Sequence, residues 1–166
     1  MKIALLTDTH FGARNDNLNF NDYFYDFYEG LFFPYLQQNN IKHCIHLGDL
    51  MDRRKYVSYR ILKDFRERFI QPFLHLEIDL HILVGNHDIY FRNTNDVNSL
   101  QELLGANYKN IHIYPEAQEI DFDGFPILMM PWINPQNEIY SFGMMDETKA
   151  DTMVSHLEVV LSLIHI

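Results

Sequence analysis

Apolar and polar positions along the chain follow a strand–helix rhythm. Lys2 to Thr7 is a β-type run that ends in the polar cluster TDTHFGARNDN. From Phe20 to Gln37 the apolar residues Phe20, Tyr23, Phe24, Phe27, Tyr28 and Leu31 recur in steps of three and one, which predicts a helix. KHCIHL, residues 42–47, is a short apolar strand running into GDLMDRRK. Tyr56 to Ile70 predicts a second helix, with Ile61, Leu62, Phe65 and Phe69 on one face. DLHILV, residues 79–84, is a third strand and runs into GNHD. VNSLQELLG is a short helix closing at a glycine. The pattern then changes: NIHIY, QEIDF and PILMMPW are strands in quick succession, with Asp123-Gly124 as a hairpin signal. VSHLEV, residues 154–159, is a last short strand.

This order predicts one α/β domain whose first half is a parallel sheet. Ligands of such sheets bind beyond the carboxyl ends of the strands, so the polar residues after each strand are expected to converge. They are Asp8-Thr9-His10 after the first strand, Gly48-Asp49-Leu50-Met51-Asp52-Arg53 after the second and Gly85-Asn86-His87-Asp88 after the third. Ser155-His156-Leu157-Glu158 lies on the last. Aspartate, histidine and asparagine form a mixed N/O donor set suited to manganese, iron or zinc. Asp8 and His10, two apart on an extended backbone, would point to one side and share an ion. The two oxygens of Asp49 could bridge two ions. Each piece alone has a plainer reading, since Asp49 could cap a helix and GNHD has the residues of any tight turn. Three such strand ends in one order favour the metal reading.

Composition shifts this picture at two points. Hydrophobic residues make up 47% and charged residues 22%, as in a globular protein with a core, and no apolar run approaches membrane-spanning length. The single cysteine, Cys44, excludes an internal disulfide and fits a cytoplasmic compartment. The net charge of −10 disfavours nucleic acid as a partner, unless the carboxylates are metal ligands whose ions invert the local field. His43, His46, His81 and His112, in or beside strands, read as packed or surface histidines. The aromatic stripe from Phe20 to Tyr35 reads as a core or interface face.

DTH, GDLMDR and GNHD, in that order, resemble the first three sequence blocks of the calcineurin-like metallophosphoesterases. The resemblance implies a metallophosphoesterase-type β-sandwich flanked by helices, C-terminally truncated, and a dinuclear centre of two divalent ions, manganese first. It implies that Asp8 and His10 hold one metal, that Asp49 bridges and that Asn86 holds the second. His87 would act on the phosphate as general acid or transition-state stabiliser, and Asp88 would orient His87. Asp52 would fix a ligand and Arg53 would pair with it. His156 would be a further ligand of the second metal, although Ser155 stands where the family has glycine. LTDTHFGARN, GDLMDRRKYVSYRIL and MPWINPQN are similar to the nuclease subunits of SbcD-type double-strand-break repair complexes, above all the recombination endonuclease subunits of tailed phages. That likeness implies DNA as substrate, an SMC-like ATPase partner, a homodimer and a location in the host cytoplasm. Arg14, Arg53, Arg54 and Lys55 become candidates for phosphate contacts. The alternatives are a phosphoesterase acting on a non-DNA substrate and a binding subunit without catalysis.

The family's fifth block, a G-H-x-H pair, has no counterpart in the chain. His165 follows His156 too closely to replace it. One reverse translation of LSLIHI, CTG TCT CTT ATA CAC ATC, matches the transposon-end adapter of sequencing libraries. The expectation is therefore an incomplete nuclease domain over residues 1–160, inactive alone, and a non-native tail at 161–166.

Overall fold

A computed structural model of the chain describes residues 1–157. The expected tail, 161–166, and the last residues of the VSHLEV run lie outside them. Four strands, β1 (Ile3–Leu6), β2 (His43–His46), β3 (Asp79–Leu83) and β4 (Ile111–Tyr114), form a parallel sheet in the order β1-β2-β3-β4. Helix α1 spans residues 18–38, α2 spans 59–75 and α3 is Ser99–Leu103. Sequential strand order with right-handed crossovers sends every connecting helix to the same face. On that face Cys44, Leu80 and Ile82 pack against Tyr25, Phe65, Phe69 and Leu100.

The opposite face is covered by a second sheet, β5 (Gln118–Phe122), β6 (Phe125–Met130) and β7 (Thr152–Ser155). Ile45, Leu83 and Tyr114 meet Phe122, Ile127 and Met129 between the sheets. Leu128 and Met130 point the other way, toward Met144 and Met145 of α4 (Glu138–Glu147). The layers thus run helix, sheet, sheet, helix, as the resemblance implies. Asp123 and Gly124, both at positive φ, make the two-residue hairpin turn between β5 and β6.

Each long helix contains a π turn, Tyr28–Phe32 in α1 and Arg66–Ile70 in α2. Both turns lie just before a proline, Pro34 or Pro72. A proline ring lacks the N–H and crowds the carbonyl four residues back, and the wider turn relieves that clash without ending the helix. The extra residue also rotates the helix. In α1 the buried positions are Asn21, Tyr25 and Tyr28, then Phe33 and Leu36. The stripe read as a core or interface face is split between buried and exposed positions. Tyr25 is buried, while Tyr23, Phe27 and Leu31 are exposed.

Candidate metal centre

The motif-bearing loops leave the carboxyl ends of β1, β2 and β3 side by side. Asp8 N–H donates to Gly48 O (3.2 Å), His10 N–H to Asp49 O (3.1 Å) and Phe11 N–H to Leu50 O (2.9 Å), so the first two loops continue the sheet pairing past the strands. Their backbone is not extended. Asp8, His10 and Asp49 have φ of 51°, 43° and 55°, the left-handed region that non-glycine residues adopt at a cost of ~1–3 kcal/mol. Asp8 and His10 thus meet because the loop curls. The extended alternation expected for them does not occur. Behind them His46, fully buried, touches Thr9 Oγ1 (3.0 Å) and accepts from Gly48 N–H (3.3 Å), tying the two loops together.

The second sheet delivers the remaining histidine. Trp132 N–H donates to Val84 O (2.8 Å) and His156 N–H to Met130 O (3.0 Å), which brings the ends of β6 and β7 to the end of β3. The imidazole Nδ1–H of His156 donates to Leu47 O (2.8 Å), because a carbonyl can only accept. Nε2 is left with a free lone pair, the form a metal ligand requires. A Cβ on Gly48, which sits at φ +107°, would lie 2.6 Å from His156 Nδ1; one on Gly85 would collide with Asp49. Glycine at these two positions lets the three loops and the ring approach.

Asp49, buried, stands at the middle. Its Oδ2 is 3.6 Å from His10 Nε2 and its Oδ1 is 3.4 Å from His156 Nε2. His10 Nε2 is also 3.6 Å from Asp8 Oδ1. These separations exceed hydrogen-bond length, yet they suit donors that share an ion, which sit ~3.0–3.6 Å apart when each is ~2.1 Å from it. Asn86 Oδ1 meets His156 Nε2 at 2.9 Å with no hydrogen between them. Turned over, the amide would donate to His156 Nε2 (2.9 Å) and to Asp49 Oδ2 (3.1 Å). That orientation satisfies both neighbours without an ion, and the opposite one offers Asn86 Oδ1 to a cation beside His156 Nε2 and Asp49. The aspartate, histidine and asparagine donors fit a divalent cation. His10, Asp49 and His87 also bring ligand atoms within 4.8 Å of one another.

Two expected roles change. Asp88 does not touch the His87 ring. Its fully buried carboxylate accepts from the N–H groups of Gly85 (2.9 Å), Asp49 (2.8 Å), Leu50 (3.0 Å) and Met51 (3.2 Å), clamping the second loop to the third. Burial pushes this carboxyl up to about 7, against the pull of those N–H donors. The ring of His87 is instead oriented by Asp52 O, which accepts from Nδ1–H (2.8 Å), and its backbone N–H holds Asp49 Oδ1 (2.7 Å). Arg53 does not pair with Asp52. It donates to Asp16 (3.0 Å) and Asn15 (2.9 Å), while Asp52 Oδ1 lies 3.8 Å from His10 Nδ1. Arg14 lies over the Phe20 ring, 4.4 Å from its centre.

The centre opens into a cavity of ≈ 390 Å³ lined by Asp8, Asp49, Asn86, Trp132, His156 and Leu157. Trp132, whose ring centre is 6.2 Å from that of His156, was not among the expected site residues. Neither were the carbonyls of Leu47 and Asp52, since any residue type supplies a carbonyl. Cys44 is buried and unpaired, as expected of a core thiol.

The family model of calcineurin-like phosphoesterases matches residues 1–157. Exonuclease subunit 1 of Enterobacteria phage T4 is 31% identical over 158 residues, 95% of this chain and 46% of that protein. The chain thus spans about half the length of this relative. Among solved structures, a protein of unknown function from Aquifex aeolicus is 19% identical with a TM-score of 0.44, covering 91% of this chain and 75% of its own. The nuclease MPE of Pseudomonas putida is 16% identical with a TM-score of 0.49, covering 76% and 52%. No helix among the described residues is long and apolar enough to cross a membrane. The family match over residues 1–157, with the DTH, GDLMDR and GNHD motifs in order at the strand ends, establishes that the chain belongs to the calcineurin-like phosphoesterases.

Proposed function

We propose that these residues form the metal-binding core of a two-metal phosphodiesterase that hydrolyses DNA. The observation that carries this reading is Asp49, whose two carboxylate oxygens face His10 on one side and His156 on the other. Asp8, His10 and Asp49 would hold one divalent ion, and Asp49, Asn86 and His156 the other. Manganese is the first choice, with iron or zinc compatible with the same donors. When bound, such a pair neutralises phosphate charge and acidifies an attacking water. The four positive charges of two ions outnumber the negative charges of Asp8 and Asp49, so the loaded centre is cationic within an acidic chain.

The residues of the chain supply the rest. Because Asp52 O occupies Nδ1–H of His87, Nε2 is the atom left to exchange a proton with a phosphate oxygen or leaving group. Asp88 keeps the loops of Asp49 and His87 in register through its four N–H donors. DNA as substrate is supported by the phage relative, named as an exonuclease subunit, and by Arg53, Arg54 and Lys55 following the centre. The relative's being a subunit also supports a partner subunit, which we propose to be an SMC-like ATPase acting with this chain in recombination and repair in the host cytoplasm. A homodimer is supported by Tyr23, Phe27, Leu31 and Tyr35, which are exposed four residues apart along α1.

Hydrolysis is proposed for a protein of the relative's full length, and the 166-residue chain is proposed to bind metal without completing both shells. The full-length protein should degrade DNA ends with manganese. Asp49→Asn and His87→Ala should each lower the rate on the order of 100-fold or more. Wild-type rates in either variant would overturn the roles of Asp49 and His87. The net charge of −10 favours a second reading, a non-DNA phosphoester. Hydrolysis of p-nitrophenyl phosphates or cyclic nucleotides, with none of DNA, would select it.

A further inference from the structure

A groove of ≈ 230 Å³ lies beside the centre, between residues 51–57 on one wall and Tyr90 with residues 97–103 on the other. Both walls are continuations of the metal-binding loops. Met51 follows Asp49 and is held by Asp88, and Asp52 O orients His87. On the other side Ser99 N–H donates to Asp88 O (2.7 Å) and Tyr90 N–H to Val97 O (2.9 Å). The lining is largely apolar, from Met51, Val57, Val97 and Leu103. Tyr56 and Tyr90 expose their rings at its mouth, Tyr56 by 65%. Two further residues of the lining, Arg54 and Lys55, have no carboxylate within 4.0 Å among the described residues, and Lys55 Nζ reaches across to 5.4 Å from the Tyr90 ring. Arg53, also in the lining, is ion-paired with Asp16 (3.0 Å) and lies over one face of the Tyr56 ring, 4.9 Å from its centre. Glu102 is the one carboxylate of the lining among the described residues.

We infer that this groove takes one unpaired nucleobase of the DNA strand whose phosphate lies at the metal centre. The inference rests on the DNA reading above and names the form of DNA. Three observations select this occupant. The volume is below the ~300–1,000 Å³ of sites for drug-sized ligands, which leaves room for a single flat ring system. Exposed tyrosines beside an apolar floor stack on any base, whatever its identity. The cations at the rim match the phosphates flanking that base, in a chain that is otherwise strongly acidic. A base held here must leave its partner strand, so the groove selects single-stranded or frayed ends.

The test compares two oligonucleotides of equal length and charge, oligo-dT and its abasic counterpart, binding to the chain in EDTA by fluorescence anisotropy. The chain should bind oligo-dT about tenfold more tightly. Tyr56→Ala should abolish that preference and Tyr56→Phe should keep it. Equal affinity for the two oligonucleotides, or a preference unchanged in Tyr56→Ala, would overturn the groove's assignment. Since no metal is present, the outcome is independent of hydrolysis. Failure of the metal reading appears separately, as absent manganese-dependent cleavage of bis-p-nitrophenyl phosphate, which carries no base, by the full-length protein.

Discussion

At the residue scale, function is concentrated in a few side chains whose roles depend on backbone groups around them. The identities of the six converging residues could be read from the sequence, because each directly follows or lies within a few residues of a strand end. Their orientation could not. Leu47 O sets the His156 tautomer and Asp52 O sets that of His87. Asp88 shows the same limit in reverse. The family resemblance implied that it orients the His87 ring, yet its oxygens are taken up by four backbone N–H groups. Gly48 gives this scale its prediction. Alanine there meets both a strained φ of +107° and His156 Nδ1 at 2.6 Å. Gly48→Ala should cost ~1–3 kcal/mol in urea unfolding and weaken the second metal site selectively, seen as a reduced metal content by mass spectrometry. An unchanged stability and metal content would show that the ring is not held against Gly48.

At the element scale, short apolar runs and turn residues marked the first six strands, and the parallel half of the sheet followed from the βαβ order. β7 (Thr152–Ser155) ends before His156, so among the described residues only Val154 and Ser155 of the expected VSHLEV run are strand. Two elements were less legible. The core-facing side of α1 was not resolved because aromatic residues occupy both sides of the helix: Tyr25 and Tyr28 are buried while Tyr23 and Phe27 are exposed. Helix α4 was missed because it shows no apolar stripe: Ile139 and Phe142 are exposed while Ser141 is buried. The strands themselves carry a pH dependence. Burial lowers His46 of β2 to about 3 and His81 of β3 to about 4, so both are neutral in the fold. Unfolded, each binds a proton below about pH 6.5, so acidification favours the unfolded chain. This stability is fully present above pH ~6.5 and is lost as pH falls toward 4 and 3, at up to ~1.4 kcal/mol per pH unit for each histidine. Urea midpoints between about pH 7 and pH 5 should fall accordingly, and His46→Gln should flatten the slope. A slope unchanged by that substitution would remove His46 from the account.

At the scale of the whole molecule, the architecture explains why residues so distant in sequence converge on one candidate site. Sequential parallel order places the ends of β1, β2 and β3 in a row, and the second sheet brings in β7 and His156 from the facing layer. Asp49, at the junction of these layers, is the residue both ions would share. Manganese titration of the chain by calorimetry tests this most directly. The account predicts two sites in the wild type, loss of one in His10→Ala, loss of the other in His156→Ala, and weakening of both, on the order of 10–100-fold, in Asp49→Asn. Loss of a single site in Asp49→Asn, with the other at full affinity, would contradict a bridging carboxylate.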